Sequence, residues 1–289
     1  MRLVFVHGRD QQGKDPIALS TSWSDALAAG RLLANLGQLS GDSVAFPYYG
    51  DELDKLVKEV DAPLVSNVAT KGGPQNTREA SFRGELLADL ASNAGLSTVE
   101  IAAESPVDIE EKGPLNWPWV HAILRAVDRR AHFGDDVLDS FTRDVFVYLT
   151  YSAVSKQIDS IVSQKIVGKG PCVVVAHSLG TIIAYRVLRA LGGEVDIRGF
   201  VTLGSPLGLN SIRNHLDSPL SVPAGVKVWR NAYDPRDVVA LLPLDKSTWD
   251  IAPPIDNFGS VDNKTNNRHG IVGYLDDATV ARWIYMAMQ

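Results

Sequence analysis

The apolar positions of this chain switch between two periods. Short runs rich in β-branched and aromatic residues occur at 3–6, 43–46, 172–176, 200–203, 226–229 and, more weakly, 258–261. Each is too short for a helix and reads as a strand. Between them the spacing turns helical. Trp23, Leu27, Gly30, Leu33 and Leu36 share one face and close at Gly37, a residue suited to ending a helix. Phe82, Leu86, Leu87 and Leu90 line one face of 78–91, and 119–129 reads as a short helix. Residues 136–166 read as one long helix carrying Val145, Tyr148, Leu149, Ala153, Ile158, Ile161 and Val162. The acidic stretch 99–114 is expected to be irregular. Asp276-Asp277 caps a last helix with Val280, Trp283, Ile284 and Met288 on its buried side. Strands separated by helices need crossover connections, which favour a parallel sheet.

The third strand run ends in the most informative residues of the chain. Cys172-Val-Val-Val-Ala-His-Ser178-Leu-Gly180 passes from a buried-strand pattern to a helical one at the serine. This is the G-x-S-x-G layout of a nucleophile elbow, with Ala176 in place of the first glycine. A serine at the tip of so tight a strand-to-helix turn needs small neighbours two before and two after. The helix that follows aims its free N–H groups at the reacting centre and favours negative charge there. Ser178 is therefore the candidate nucleophile.

Composition narrows the class. At 289 residues, 45% hydrophobic and 21% charged, the chain is large enough for one α/β core with a sizeable insertion. Its net charge of −6 with scattered basic residues gives no nucleic-acid footprint. The single cysteine, Cys172, excludes an intrachain disulfide and opens an apolar strand, where a buried structural thiol is expected. No Cys or His spacing suits a metal, so neither metal nor cofactor is expected. The apolar run before His7-Gly8 is too short for a secretory h-region or a membrane span, and the expected location is the cytoplasm.

His177-Ser-Leu-Gly180 followed by Thr181-Ile-Ile-Ala-Tyr-Arg-Val-Leu-Arg resembles the α/β-hydrolase superfamily, most closely its lipase- and esterase-like bacterial members. The resemblance holds at four separated places from Leu3 to the C-terminal helix, while about 51–136 matches no pattern of the family. It implies an α/β-hydrolase fold: a mostly parallel sheet of about six strands flanked by helices. Because the loop after the first strand already begins at His7, the chain looks like a reduced member lacking the usual first strands. Residues 1–50 and 136–289 would form the hydrolase core and 51–135 a helical cap.

In that superfamily the order along the chain is nucleophile, acid, histidine. Of His7, His121, His132, His177, His215 and His269, only His269 follows the loop that can supply the acid. That loop, Arg230-Asn-Ala-Tyr-Asp234-Pro-Arg-Asp237-Val-Val-Ala, offers two carboxylates. Asp237 heads a run similar to the acid-bearing segment of lipase-like relatives. Asp234 precedes a proline and could instead shape a turn, and it stays open as the acid. The oxyanion hole would use the backbone N–H groups of Leu179 and of Arg9, with Asp10 next in line. His7 and His177 are expected to be structural. The run Thr202-Leu-Gly-Ser205-Pro-Leu207 resembles a segment that lines the site in lipase-like proteins, and Trp117, Ser205 and Leu207 are candidate substrate contacts.

The reading is a serine hydrolase acting on a small ester or related acyl substrate through Ser178, His269 and Asp237. A triad-bearing fold used for binding or signalling is the alternative. A third signal competes: Gly8-Arg-Asp-Gln-Gln-Gly13-Lys14 fits most of a P-loop, but Asp15 stands where a Ser or Thr should reach Mg²⁺. Nucleotide binding is therefore disfavoured. Acyl length and oligomeric state have no signature in the sequence.

Overall fold

Strand β1 (Arg2–Val6) is buried along its whole length because it has a neighbour on each side and helices on both faces. The computed structural model describes residues 1–39, 43–71, 77–105, 117–131, 135–168, 170–240 and 242–289, with the backbone alone at 61–71, 77, 117–118, 131 and 135–137. The other strands are β2 (Ser43–Ala45), β3 (Cys172–His177), β4 (Ile197–Leu203), β5 (Trp229–Ala232) and β6 (Asp256–Phe258). They form a six-stranded sheet in the order β2-β1-β3-β4-β5-β6, with every neighbouring pair parallel. Val4 pairs with Val174, and Val175 with Val201.

Successive side chains of a strand point to opposite faces, so the sheet builds two cores. Leu3, Phe5, Val173, Val175, Val201 and Leu203 share one face with helices α1 (Pro16–Leu33), α10 (Val272–Leu275) and α11 (Ala278–Ala287). Val4, Val6, Val174, Ala176 and Phe200 belong to the other, which is covered by α7 (Ser152–Ile166) and α8 (Leu179–Ala190). That second core runs without interruption into α2 (Gly50–Lys71), α3 (Thr77–Asn93), α4 (Thr98–Ala103), α5 (Trp117–Ala131) and α6 (Asp135–Thr150), through Leu53, Phe82, Leu86, Ile123 and Phe146. A short helix α9 (Asn210–Arg213) follows β4. Among the described residues no helix is long and apolar enough to cross a membrane.

Several elements differ from the periodicity reading, each for a local reason. Helix α1 starts at Pro16, not near Trp23, because the Asp15 side chain accepts the Ile17 N–H and Pro16 suits the first turn. It ends before Gly37, at Leu33, and Asn35, with a φ of 55°, turns the chain away. The expected single helix over 136–166 is two, broken at Tyr151, with no proline or glycine there to mark the break. Part of the stretch expected to be irregular is α4, started by a capping box in which Ser97 and Glu100 satisfy each other's backbone N–H groups. The fifth strand lies at Trp229–Ala232, three residues beyond the expected run, and Val226 makes only an isolated bridge to Ile197. The sixth lies at Asp256–Phe258, ahead of its expected position.

Candidate active site

Ser178 sits between β3 and α8 with φ 53° and ψ −130°, a backbone conformation that costs on the order of 1–3 kcal/mol for a residue with a side chain. The surroundings hold it there. The Ser178 N–H donates to the Leu203 carbonyl of β4 at 3.1 Å, and its own carbonyl accepts from the Thr181 N–H and hydroxyl. Gly180 is required by close approach. A Cβ at this position would lie 2.5 Å from the Val6 carbonyl oxygen and closer still to that of His7. On the other side, a Cβ on Gly8 would reach 3.0 Å from the Ser178 Cβ. The end of β1 and the turn after β3 are thus packed backbone to backbone. This brings the Gly8-Arg9 segment beside the serine.

His269 comes from the loop before α10. Its Nε2 lies 2.9 Å from the Ser178 Oγ, and its Nδ1 lies 2.7 Å from the Asp237 Oδ2. Asp237 follows β5, is fully buried, and accepts the Val239 N–H on its other oxygen at 3.1 Å. Since a carboxylate only accepts, Nδ1 carries the proton and Nε2 is left free to accept from the serine hydroxyl. This is the arrangement in which a serine oxygen can surrender its proton.

Asp234 does something else. Its two oxygens accept the backbone N–H groups of Arg236, at 2.7 Å, and Asn263, at 2.8 Å. Arg268 also approaches Oδ2, at 3.4 Å. Asp234 therefore shapes the turn and holds the loop that carries His269, and it makes no hydrogen bond with the imidazole. Asn263 continues that work. Its amide donates to the Gly270 carbonyl at 2.8 Å, and its carbonyl oxygen accepts from the Thr265 N–H and hydroxyl.

The remaining histidines of the site are clamped. His7 accepts the Tyr49 N–H at Nε2 and donates from Nδ1 to the Gly8 carbonyl at 2.6 Å, with the Tyr49 ring stacked at 3.9 Å. Burial, opposed by the Gly8 hydrogen bond, pushes its pKa down to about 4. His177 donates from Nε2 to the His269 carbonyl at 2.7 Å, and its pKa is held well below the ordinary imidazole range by burial and by His269. Both rings are neutral at pH 7.

Leu179, the first residue of α8, is fully buried. The Arg9 side chain forms an ion pair with Asp144 of α6. Ser205 caps a single 3-10 turn (Pro206–Gly208), and its hydroxyl meets that of Thr181 at 2.8 Å. Leu207 is fully buried, and its carbonyl accepts the Trp249 indole N–H at 2.8 Å. The Trp117 side chain lies outside the described residues, as does His132. Trp119 is buried in the helical layer at 7% exposure. In the P-loop-like segment, the Lys14 ammonium donates to the Asp10 carbonyl at 2.6 Å and the Gly13 N–H to Asp51 at 2.6 Å. Those donors are committed to the protein's own oxygens. Among the described residues no cluster of His, Cys, Asp or Glu is grouped to hold a metal ion.

Sequence reasoning missed Tyr49, Asp144, Asn263 and Tyr274. Tyr49, Asp144 and Tyr274 carry no local signature because each acts on a residue distant in the chain, and Asn263 carries none because it joins Asp234 to Gly270 only once the loop has folded.

The sequence model of a family described as "Alpha/beta hydrolase family" matches residues 113–287. No curated protein and no solved structure matches the chain.

Proposed function

The chain belongs to the alpha/beta hydrolase family, and within that family we propose that it is a serine hydrolase cleaving a carboxylic ester or related acyl bond. The observation that carries this reading is the unbroken series of hydrogen bonds from Ser178 Oγ to His269 Nε2 and from His269 Nδ1 to Asp237 Oδ2. In the proposed reaction the Ser178 oxygen attacks the acyl carbonyl while its proton passes to His269. Asp237 keeps the imidazole in the needed tautomer and stabilises the imidazolium. The tetrahedral oxyanion is received by the backbone N–H groups of Leu179 and Arg9. His269 then returns the proton to the departing alcohol, leaving an acyl-serine. Water, deprotonated by the same imidazole, adds to that acyl group, and the acid leaves as Ser178 regains its proton. No step calls for a metal or cofactor.

The 51–135 segment is the proposed cap, and Trp117, Ser205 and Leu207 are proposed contacts of the acyl group. A fluorophosphonate tests the central assignment. It should label one site, which peptide mapping identifies as Ser178, and Ser178→Ala should abolish both labelling and ester turnover. Labelling that persists in Ser178→Ala, or that maps to Ser205, overturns the assignment. Absence of labelling in the wild-type chain would favour a binding role for the fold. A panel of acyl chain lengths then reports on the pocket, and Trp117→Ala should change the preferred length.

A further inference from the structure

Tyr274 lies on α10, five residues beyond His269, with its side chain completely buried. Its hydroxyl oxygen is 2.6 Å from the Asp237 Oδ2, the oxygen that also receives the His269 Nδ1–H. The same hydroxyl lies 3.2 Å from the Asp234 backbone nitrogen. A phenol has one proton to donate, and a backbone N–H can only give. The Asp234 N–H therefore occupies the acceptor side of the hydroxyl, and the phenolic proton is directed into Asp237. Burial, with Asp237 next among the causes, holds the Tyr274 pKa well above its ordinary value. The hydroxyl stays a donor throughout the pH range of a hydrolase.

We propose that Tyr274 is a positioning residue for the Ser178–His269–Asp237 series, fixing the Asp237 carboxylate in place and drawing off part of its negative charge. The proposal rests on the serine-hydrolase reading. Asp237 accepts three hydrogen bonds: Val239 N–H on one oxygen, His269 Nδ1–H and Tyr274 O–H on the other. With Oδ2 held from two directions, the carboxylate has no freedom to rotate away from the imidazole. Sharing its charge with the phenol also weakens the carboxylate's attraction for a positively charged imidazole. The charged and titratable groups facing the pair are Ser178 and His177 from the elbow, Asp234 from the β5 turn, Arg268 from the base's own loop and Tyr274 from α10. Of these, Tyr274 alone donates a side-chain hydrogen bond to the acid besides His269.

The test is the rate of fluorophosphonate labelling as a function of pH, in the full chain and in Tyr274→Phe. The variant keeps the ring and removes the donor. Its maximal labelling rate should fall roughly tenfold, and its acidic midpoint should move up by about half a pH unit, as expected when the charge on a neighbouring carboxylate is no longer shared. Tyr148→Phe removes another buried phenolic hydroxyl, one that donates to Asp159 of α7 at 2.5 Å. It should lower stability without moving the midpoint. A Tyr274→Phe curve that overlays the wild type, or a Tyr148→Phe midpoint displaced equally, sinks the role of Tyr274 and leaves the hydrolase reading intact. A wild-type chain that is not labelled at Ser178 removes the hydrolase reading itself. If Tyr274→Phe does not fold, 3-fluorotyrosine at position 274 keeps the ring and hydroxyl while making the phenol a stronger donor; the acidic midpoint should then move down, and an unmoved midpoint counts against the proposal.

Discussion

Arg9 Nε donates to Asp144 Oδ2 at 2.8 Å, joining the loop after β1 to helix α6 across 135 positions of sequence. Both side chains are largely buried, at 14% and 16% exposure. Burial raises the Asp144 pKa, and the Arg9 guanidinium opposes that rise. The loop so held is the one proposed to offer an oxyanion donor. Asp144→Ala should therefore lower kcat for an ester by about tenfold, less than the hundred- to thousandfold that outright removal of an oxyanion donor costs. KM should change less. A kcat equal to wild type, measured on the same ester, would show that the pair is structural only.

Two aspartates three residues apart should respond differently to the same change. Asp237→Asn leaves the carboxylate's shape but favours the wrong imidazole tautomer, and ester turnover should fall by about ten-thousandfold. Asp234→Asn should act on stability. The amide keeps one acceptor oxygen but sets its NH₂ against one of the N–H groups of Arg236 and Asn263, which should cost about 1–3 kcal/mol, read as a lower urea midpoint with most activity retained. Interchanged phenotypes would reassign the acid to Asp234.

His7 makes a prediction about acid stability. Its folded pKa of about 4 lies below the unfolded value of 6.5, so the unfolded chain takes up the proton first as pH falls. The contribution is fully present above about pH 6.5 and is lost progressively between 6.5 and 4. It amounts to about 3 kcal/mol. His177, whose pKa is also lowered by burial, adds to the loss in the same direction. Urea midpoints recorded from pH 7.5 to 5 should fall steadily for the wild type and less steeply for His7→Gln. Parallel slopes for the two chains would contradict a neutral, buried His7.

The sequence alone determined those features whose causes lie within a few residues. A run of β-branched residues is a strand wherever it is buried, so the central strands, and the helices between them that make the sheet parallel, were readable from period and length, whereas β6, an Asp-Asn-Phe edge strand, was not. The elbow was readable because its turn tolerates only small residues beside Ser178, and Gly180 shows why: the Val6 and His7 carbonyls leave no room for a Cβ. Boundaries were less legible. The start of α1 depends on one cap at Asp15, and the break at Tyr151 has no residue type to announce it. What tertiary structure decided were contacts across long separations. The pattern left Asp234 and Asp237 both open. Only the meeting of His269 with residues 32 and 91 positions earlier gives Asp237 the imidazole and Ser178 its acceptor. Tyr274, Tyr49 and Asp144 were invisible for the same reason. A hydrogen bond between distant residues depends on strand order and on which helix crosses which face, and hydrophobic periodicity encodes neither.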